Sequence, residues 1–496
     1  MTKSVIVFDE PDLEFRYGQR LKDPRDGLAL FGPYDTDQSS HPASLSHMLI
    51  GAPEGIAKFK VWSSVMNYPV TEAPKGKVRL WPPFPGFEAV YCATWPPQPV
   101  VTVSLDRDNL LEASRLRDPY QRAHKVVEYY LDGLQRVQKR DEKIGIAICI
   151  VPDEVWTNCR PQSHVTNAIG NHISASEISK RKAGQIGLFD EDLDTYLLSP
   201  DFRRQLKARA MAFDLPLQII RESTLRYSDD IPFGERRLTP LSDRMWNICT
   251  TLYYKCGGKP WRLVTAREGV CYIGLAFRRT DDKRTACCAA QMFLDTGDGV
   301  VFLGQFGPWY SPRDRQFHLD RDAARHLLHG VLKTYEEMGG KQLTEIFLHS
   351  RSTISDDEFA GYQAACPPGV KLVGIRVRPD KNAPRLYRMG EMPVLRGTFW
   401  RLSNTSGLLW GTGFKARIGT YDGWETPLAM RIDVQHGDAS IERVAQDIFG
   451  LTKLNYNACR LSDSDPVTVG FSDAVGEILI SNPTVTSRKP QFRYYI

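Results

Sequence analysis

Residues 144–151 read Ile-Gly-Ile-Ala-Ile-Cys-Ile-Val, a run with no polar side chain. A strand that is apolar on both faces must be covered on both faces. Parallel sheets with helices on either side supply that cover. The flanking sequence agrees. Residues 123–140 place Val126, Val127, Tyr130, Leu131 and Leu134 at helical spacing. A basic helix is expected over 202–213, a strand over 217–220, and a helix over 242–254 that stops at Gly257-Gly258. Strands alternating with helices imply a parallel α/β unit. Upstream, 89–93 and 100–104 read as strands. Residues 1–80 read as irregular, with turn chemistry at Asp23-Pro24-Arg25-Asp26-Gly27 and Phe31-Gly32-Pro33.

A second α/β unit begins near Trp261. Strands are expected at 270–278, 286–294, 299–306, 345–350, 370–377 and 399–402. Helices are expected at 320–338 and 441–449. A chain of 496 residues holds two to four domains at roughly 150 residues each. The expected division is an N-terminal segment, 1–80, packed on a unit spanning 81–262, followed by a unit spanning 263–496.

Charge narrows the function. Residues 201–262 hold twelve Lys/Arg and seven Asp/Glu, a surplus as large as the +5 of the whole chain. Local positive charge of this kind favours polyanions. The ten cysteines are scattered and form no C-x-x-C pair, which disfavours a zinc ribbon or a dithiol redox motif and fits a reducing, cytoplasmic setting. The N-terminal apolar run is too short for a signal peptide, and no apolar stretch approaches a membrane span.

Within the basic stretch, Arg203 and Lys207 lie four apart and share a helix face. Gln218 sits in an apolar strand, where its amide needs a partner. Lys255 lies in the last turn of its helix, where a cation meets the negative end of the dipole. Each alone is ordinary. Their order is less so: a basic helix pair, a strand Gln, then Tyr254-Lys255-Cys256-Gly257-Gly258-Lys259-Pro260-Trp261.

In this order the chain resembles the Argonaute family. The fold implied is a Rossmann-like MID domain followed by a ribonuclease-H-like PIWI domain. The resemblance implies that Arg203, Lys207, Gln218 and Lys255, with Asn247 as a further contact, anchor a guide's 5′-phosphate. Arg203 stands where tyrosine is common, so the terminal base would stack on a guanidinium. The resemblance also implies a Mg²⁺ at that phosphate, held by the C-terminal carboxylate of Ile496 and by Gln218. Lys453-Leu454-Asn455-Tyr456-Asn457 resembles a segment near the guide backbone. Arg488, Lys489 and Arg493 add charge nearby.

The ribonuclease-H-like half departs from active relatives, which hold two divalent metals with four acidic or histidine ligands. The first ligand position, after Cys271-Tyr272-Ile273-Gly274-Leu275, is Ala276. No glutamate occurs between Phe277 and Tyr335. The third position falls on Ser350-Arg351, and only the fourth, Asp473, keeps a carboxylate. No slicing is expected.

Phe15-Arg16-Tyr17-Gly18-Gln19-Arg20, Phe84-Pro85-Gly86-Phe87 and Val151-Pro152-Asp153-Glu154 resemble the short prokaryotic Argonautes. That resemblance implies a 5′-phosphorylated guide RNA, a single-stranded DNA target, and a heterodimer with an APAZ-containing effector of sirtuin-like, TIR or nuclease type. The complex would oligomerise on activation and serve defence by abortive infection. Two other readings stay open. One is an active nuclease using Asp295, Asp298 or Asp320. The other is a stand-alone nucleic-acid-binding repressor.

Overall fold

The computed structural model describes residues 4–71, 79–138, 142–166, 168–169, 174–182, 194–227, 238–279, 286–293, 299–306, 308–312, 315–390, 393–421, 426–482 and 489–496. Its first sheet has four parallel strands in the order Val101–Ser104, His47–Gly51, Ile146–Val151, Leu217–Arg221. Side chains of Ile146–Val151 alternate between two cores. Ile146, Ile148 and Ile150 pack with Phe59, Trp62, Met245 and Leu252. Ala147, Cys149 and Val151 pack with Val126, Tyr130, Phe202 and Leu206. Cover on both faces is what the unbroken apolar run demands.

Two readings of this region are corrected. Residues 1–80 are not irregular. They supply His47–Gly51, an interior strand of the sheet, and the helix Pro53–Val65. The strand has a five-residue run, and its neighbours lie some fifty and one hundred residues away in sequence, so local pattern gave little signal. Residues 89–93 are not a strand. They overlap the helix Phe87–Tyr91, which follows Gly86 at φ 110° and buries Phe87, Val90 and Tyr91. The i, i+3, i+4 spacing is helical, but a short apolar run cannot be assigned by periodicity alone.

The second sheet has nine strands among the described residues. Val270–Arg279, Ala286–Phe293 and Gly299–Phe306 form an antiparallel meander. Glu345–Ser350 pairs parallel to the first of these, and Lys371–Pro379 pairs parallel to Glu345–Ser350. This is the ribonuclease-H-like arrangement. Met430–His436, Ser406–Leu409, Thr398–Arg401 and finally Val5–Val7 extend the sheet antiparallel. The N-terminal strand therefore belongs to the second sheet, paired across almost four hundred residues. Helices Arg321–Glu337 and Asp356–Ala365 cover one face of the central strands. Val467–Leu479 covers the other.

Gly274 sets how closely that last helix approaches. A Cβ there would lie 1.8 Å from the Thr468 carbonyl oxygen. Backbone cannot yield as a side chain does, so Gly274→Ala is expected to cost about 3 kcal/mol or more. The check is a urea midpoint against Gly470→Ala, whose new methyl would meet its nearest neighbour at 3.5 Å. The Gly470 variant is expected to hold or gain stability.

The halves interlock. The helix Leu241–Lys255 ends with Gly257 at φ 100° and Gly258 N–H donating to Tyr253 O at 3.0 Å. Trp261 follows, fully buried. Its indole Nε1 donates to Lys453 O at 3.0 Å, and Tyr456 Oη donates to Trp261 O at 2.9 Å. Arg25 ties the N-terminal segment to both units through Asp243, Cys459 O and Leu80 O.

Candidate nucleic-acid interface

The helix Phe202–Ala210 starts at Asp201, whose side chain accepts from Arg204 N at 3.0 Å. Burial of Phe202, Leu206 and Ala210 on the sheet fixes the helix rotation and turns Lys207 toward the C-terminal segment. Lys207 is 4 % exposed. Its Nζ donates to Tyr495 O at 3.2 Å and to Ile496 O. Lys255, 1 % exposed, ends the neighbouring helix. Its Nζ donates to Leu217 O at 2.6 Å and to Gln218 Oε1 at 2.8 Å. Gln218 Nε2 donates to Ile219 O at 3.2 Å. The structure thus brings Arg203, Lys207, Gln218, Lys255 and Ile496 to one place.

The electrostatics of this place are one-sided. Burial, then the charges of Lys255 and Arg203, hold the Lys207 ammonium well below the usual lysine range. Burial and Arg203 bring Lys255 down to about 7. Desolvation also lowers Arg203, with Asp201 and Glu477 opposing. No side-chain carboxylate acts on either lysine. Buried cations that outnumber the anions around them are costly. An anion placed among them relieves that cost and is correspondingly attracted.

Asn247 does not join the cluster. It lies two helical turns before Lys255, about 12 Å along the axis. Its Nδ2 donates to Asp243 at 3.2 Å and its Oδ1 accepts from Cys459 N at 2.9 Å. The amide is committed to holding the halves together. Lys453 is likewise internal. Its Nζ donates to Glu10 Oε1 at 3.0 Å, Pro11 O at 2.9 Å and Lys22 O at 2.6 Å, leaving none of its three protons for a guide.

The expected Mg²⁺ would have to displace lysine ammonium groups from its donor set. Gln218 Oε1 and the Ile496 oxygen each accept from a lysine ammonium. Mg²⁺ demands near-octahedral oxygen ligands and is usually held by one or two carboxylates besides phosphate.

Arg493 and Arg160 stand beside the cluster. The Arg493 guanidinium lies 3.2 Å from where a Gly257 Cβ would be, and its Nε is buried without a hydrogen-bond partner. Arg160 stacks over Trp156 at 4.3 Å, and its charge reaches Arg203.

The second chemistry-bearing place lies on the ribonuclease-H-like sheet. Leu275 pairs with Ser350, the last residue of its strand, so Ala276 and Arg351 each directly follow the last paired residue. Arg351 Nη2 pairs with Asp465 at 3.3 Å, just ahead of the helix Val467–Leu479. Asp473 lies on that helix, not at a strand end. His349 Nδ1 meets Thr468 Oγ1 at 2.9 Å, and burial lowers its imidazole to about 3, so it is neutral. Among the described residues, no group of three or more His, Cys, Asp or Glu could hold a metal. Asp320 caps the helix Arg321–Glu337, accepting from Ala323 N at 2.7 Å. Asp295, Asp298 and Arg488 lie outside the described residues.

A basic strip escaped the motif-led reading. Residues 371–401 hold eight Lys/Arg against two Asp/Glu, a larger surplus than the whole chain carries. Arg378 pairs in register with Arg431 across adjacent strands. Burial and then the Arg378 charge lower Arg376, whose Nε donates to Arg351 O at 3.2 Å. The strip therefore starts at Arg351 and runs outward to exposed Lys381 and Arg385. Arg396 is not part of it, being buried against Glu10. A charge count along the whole chain finds the strip.

No protein-family model matches this sequence, and no curated protein does. Solved structures match it. Clostridium butyricum Argonaute bound to a guide DNA and a 19-mer target DNA superposes with a TM-score of 0.60 at 16 % identity, covering 97 % of this chain and 53 % of that one. Aa-Ago with externally bound siRNA gives 0.56 at 15 %, covering 99 % and 56 %. Aquifex aeolicus Argonaute gives 0.53 at 15 %, covering 99 % and 57 %. The chain has the Argonaute fold and spans about half the length of these proteins. No helix among the described residues is long and apolar enough to cross a membrane.

Proposed function

We propose that this chain is a non-cutting, guide-directed sensor of nucleic acid. It holds the 5′-phosphate of a small guide RNA in the Arg203–Lys207–Lys255 cluster and pairs the guide with complementary single-stranded DNA. The observation that carries this reading is the cluster itself: three basic side chains drawn together, two of them buried lysines, with a strand amide among them. A terminal phosphate carries about two negative charges at neutral pH and matches that positive charge. The Argonaute fold, and a solved relative with a guide and a target strand bound, support the same reading.

Sequence recognition falls to base pairing, with protein contacts on the backbones. The strip at Arg376 and Arg378 offers phosphate contacts next to Arg351, while Arg431 beside it is drawn to Asp433 at 3.1 Å. Ala276 and Arg351 leave the metal-binding positions without the ligands that cutting requires. Output therefore passes to a second protein: an APAZ-containing effector, NAD-hydrolysing or nucleolytic, that a filled groove activates in a cytoplasmic heterodimer. Pairing can drive that activation only if the paired and unpaired states contact the partner differently.

The reading is tested with purified chain loaded with 5′-phosphorylated RNA. Complementary single-stranded DNA should bind at least tenfold more tightly than a scrambled strand, a difference of about 1.4 kcal/mol. Equal binding of both strands would leave a general nucleic-acid-binding protein in place of a guided one. Co-purification with the product of a neighbouring APAZ-encoding frame should accompany it, and a solitary gene would favour a repressor.

A further inference from the structure

The donor geometry of the anchor says how the phosphate is held, given the guide-anchor reading above. A bound phosphate dianion favours the charged form of both lysines, and each ammonium then has three protons. Lys207 spends two, on Tyr495 O and Ile496 O. Lys255 spends two, on Leu217 O and Gln218 Oε1. Each keeps one N–H for a ligand without releasing the partners that orient it. The Arg203 guanidinium acts electrostatically on both lysines and adds a planar fork suited to phosphate oxygens.

The same geometry leaves little for a divalent cation. Gln218 Oε1 and the Ile496 oxygen at Lys207 already accept from ammonium groups. A metal displacing those protons would turn both lysines out of their sites. It would also add two positive charges to a cluster where no side-chain carboxylate acts on either lysine. A phosphate dianion lowers the local potential, whereas a divalent cation raises it.

We propose that the cluster takes a terminal phosphate monoester through Arg203, Lys207 and Lys255 alone, with no divalent cation, the two lysines standing where a metal would. Guide loading is then indifferent to chelators. Lys207 and Lys255 provide in fixed form the charge that a metal would bring from solution, so loading does not track free Mg²⁺.

The experiment is a binding competition on the purified chain between one RNA with a 5′-phosphate and the same RNA with a 5′-hydroxyl. It is run in EDTA and in millimolar Mg²⁺ at matched ionic strength, because backbone binding is itself salt-dependent. The expected result is a preference of roughly tenfold or more for the phosphorylated RNA, equal in the two buffers. A preference that vanishes in EDTA and returns with Mg²⁺ overturns the metal-free anchor and leaves the guide reading standing. No preference in either buffer overturns both.

Discussion

Replacing Lys207 and Lys255 together by alanine is expected to abolish the preference for 5′-phosphorylated guides. Each ammonium would contribute a charge-assisted hydrogen bond of about 1.5–3 kcal/mol. Losing both corresponds to a hundredfold or greater fall in discrimination. Affinity for a 5′-hydroxyl RNA should change much less, because the strip around Arg376 and Arg378 is untouched. The direction of any stability change separates a folding defect from a binding one. Both lysines are buried at a cost, so removing them relieves cationic repulsion while opening small cavities. A Lys207→Met, Lys255→Met pair keeps most of the volume and should lose the preference as completely. Binding curves for the two RNAs, with thermal melts of each variant, decide the matter. Retained discrimination in the methionine pair would place the anchor elsewhere.

The anchor sits where the two halves meet. Lys207 comes from the first unit, and its acceptors come from the end of the second. The segment carrying those acceptors is held at both ends. Val301 N donates to Pro490 O at 2.7 Å on the outermost strand of the large sheet, and Tyr494 Oη donates to Asp214 at 2.7 Å in the first unit. Phe492 meets Phe293 and Phe471 edge-on. A phosphate in the cluster therefore presses on a segment that spans both sheets. That segment is a physical connection between guide loading and the surface of the second unit.

How far the sequence foretells this depends on the range of each interaction. The run 146–151 is legible because its two-faced burial is written in six consecutive side chains. The cap at Gly257-Gly258 is legible because positive φ favours glycine. Arg203 and Lys207 are legible as one helix face. Their convergence with Lys255 is not, since it depends on how two helices and a strand end pack. His47–Gly51 and Val5–Val7 are hidden for the same reason, as their partners are distant in sequence. Lys453 and Asn247 show the converse. Family resemblance gave each a ligand, but Lys453 meets Glu10 and Asn247 meets Asp243 and Cys459. A motif fixes a position in the chain, whereas a role requires the partner atoms. The strip at 371–401 needed no partner atoms. It carries charge density without a motif.

Guide-loaded protein incubated with complementary DNA and either Mg²⁺ or Mn²⁺ is expected to leave the DNA whole. Two-metal hydrolysis needs carboxylates that place both ions within about 4 Å of each other. Ala276 has no ligand to offer. Arg351, just past the end of the neighbouring strand, brings a guanidinium in place of a carboxylate, and Asp465 is already drawn to that guanidinium at 3.3 Å. Restoring Ala276→Asp alone should therefore not restore cutting, because a single new carboxylate would pair with Arg351 before it gathered a metal. Asp320 is exposed and serves its helix terminus through the bond from Ala323 N. Asp473→Ala should leave target binding unchanged, since a single carboxylate cannot hold the two ions that cutting requires. A denaturing gel of end-labelled DNA reads all three proteins. A cut at one fixed distance from the guide's 5′ end would overturn the non-cutting reading. If that cut persisted in Asp473→Ala, it would point to carboxylates outside this centre. An intact target that stays bound through a native gel is the behaviour of a protein whose binding, and not its chemistry, is the signal.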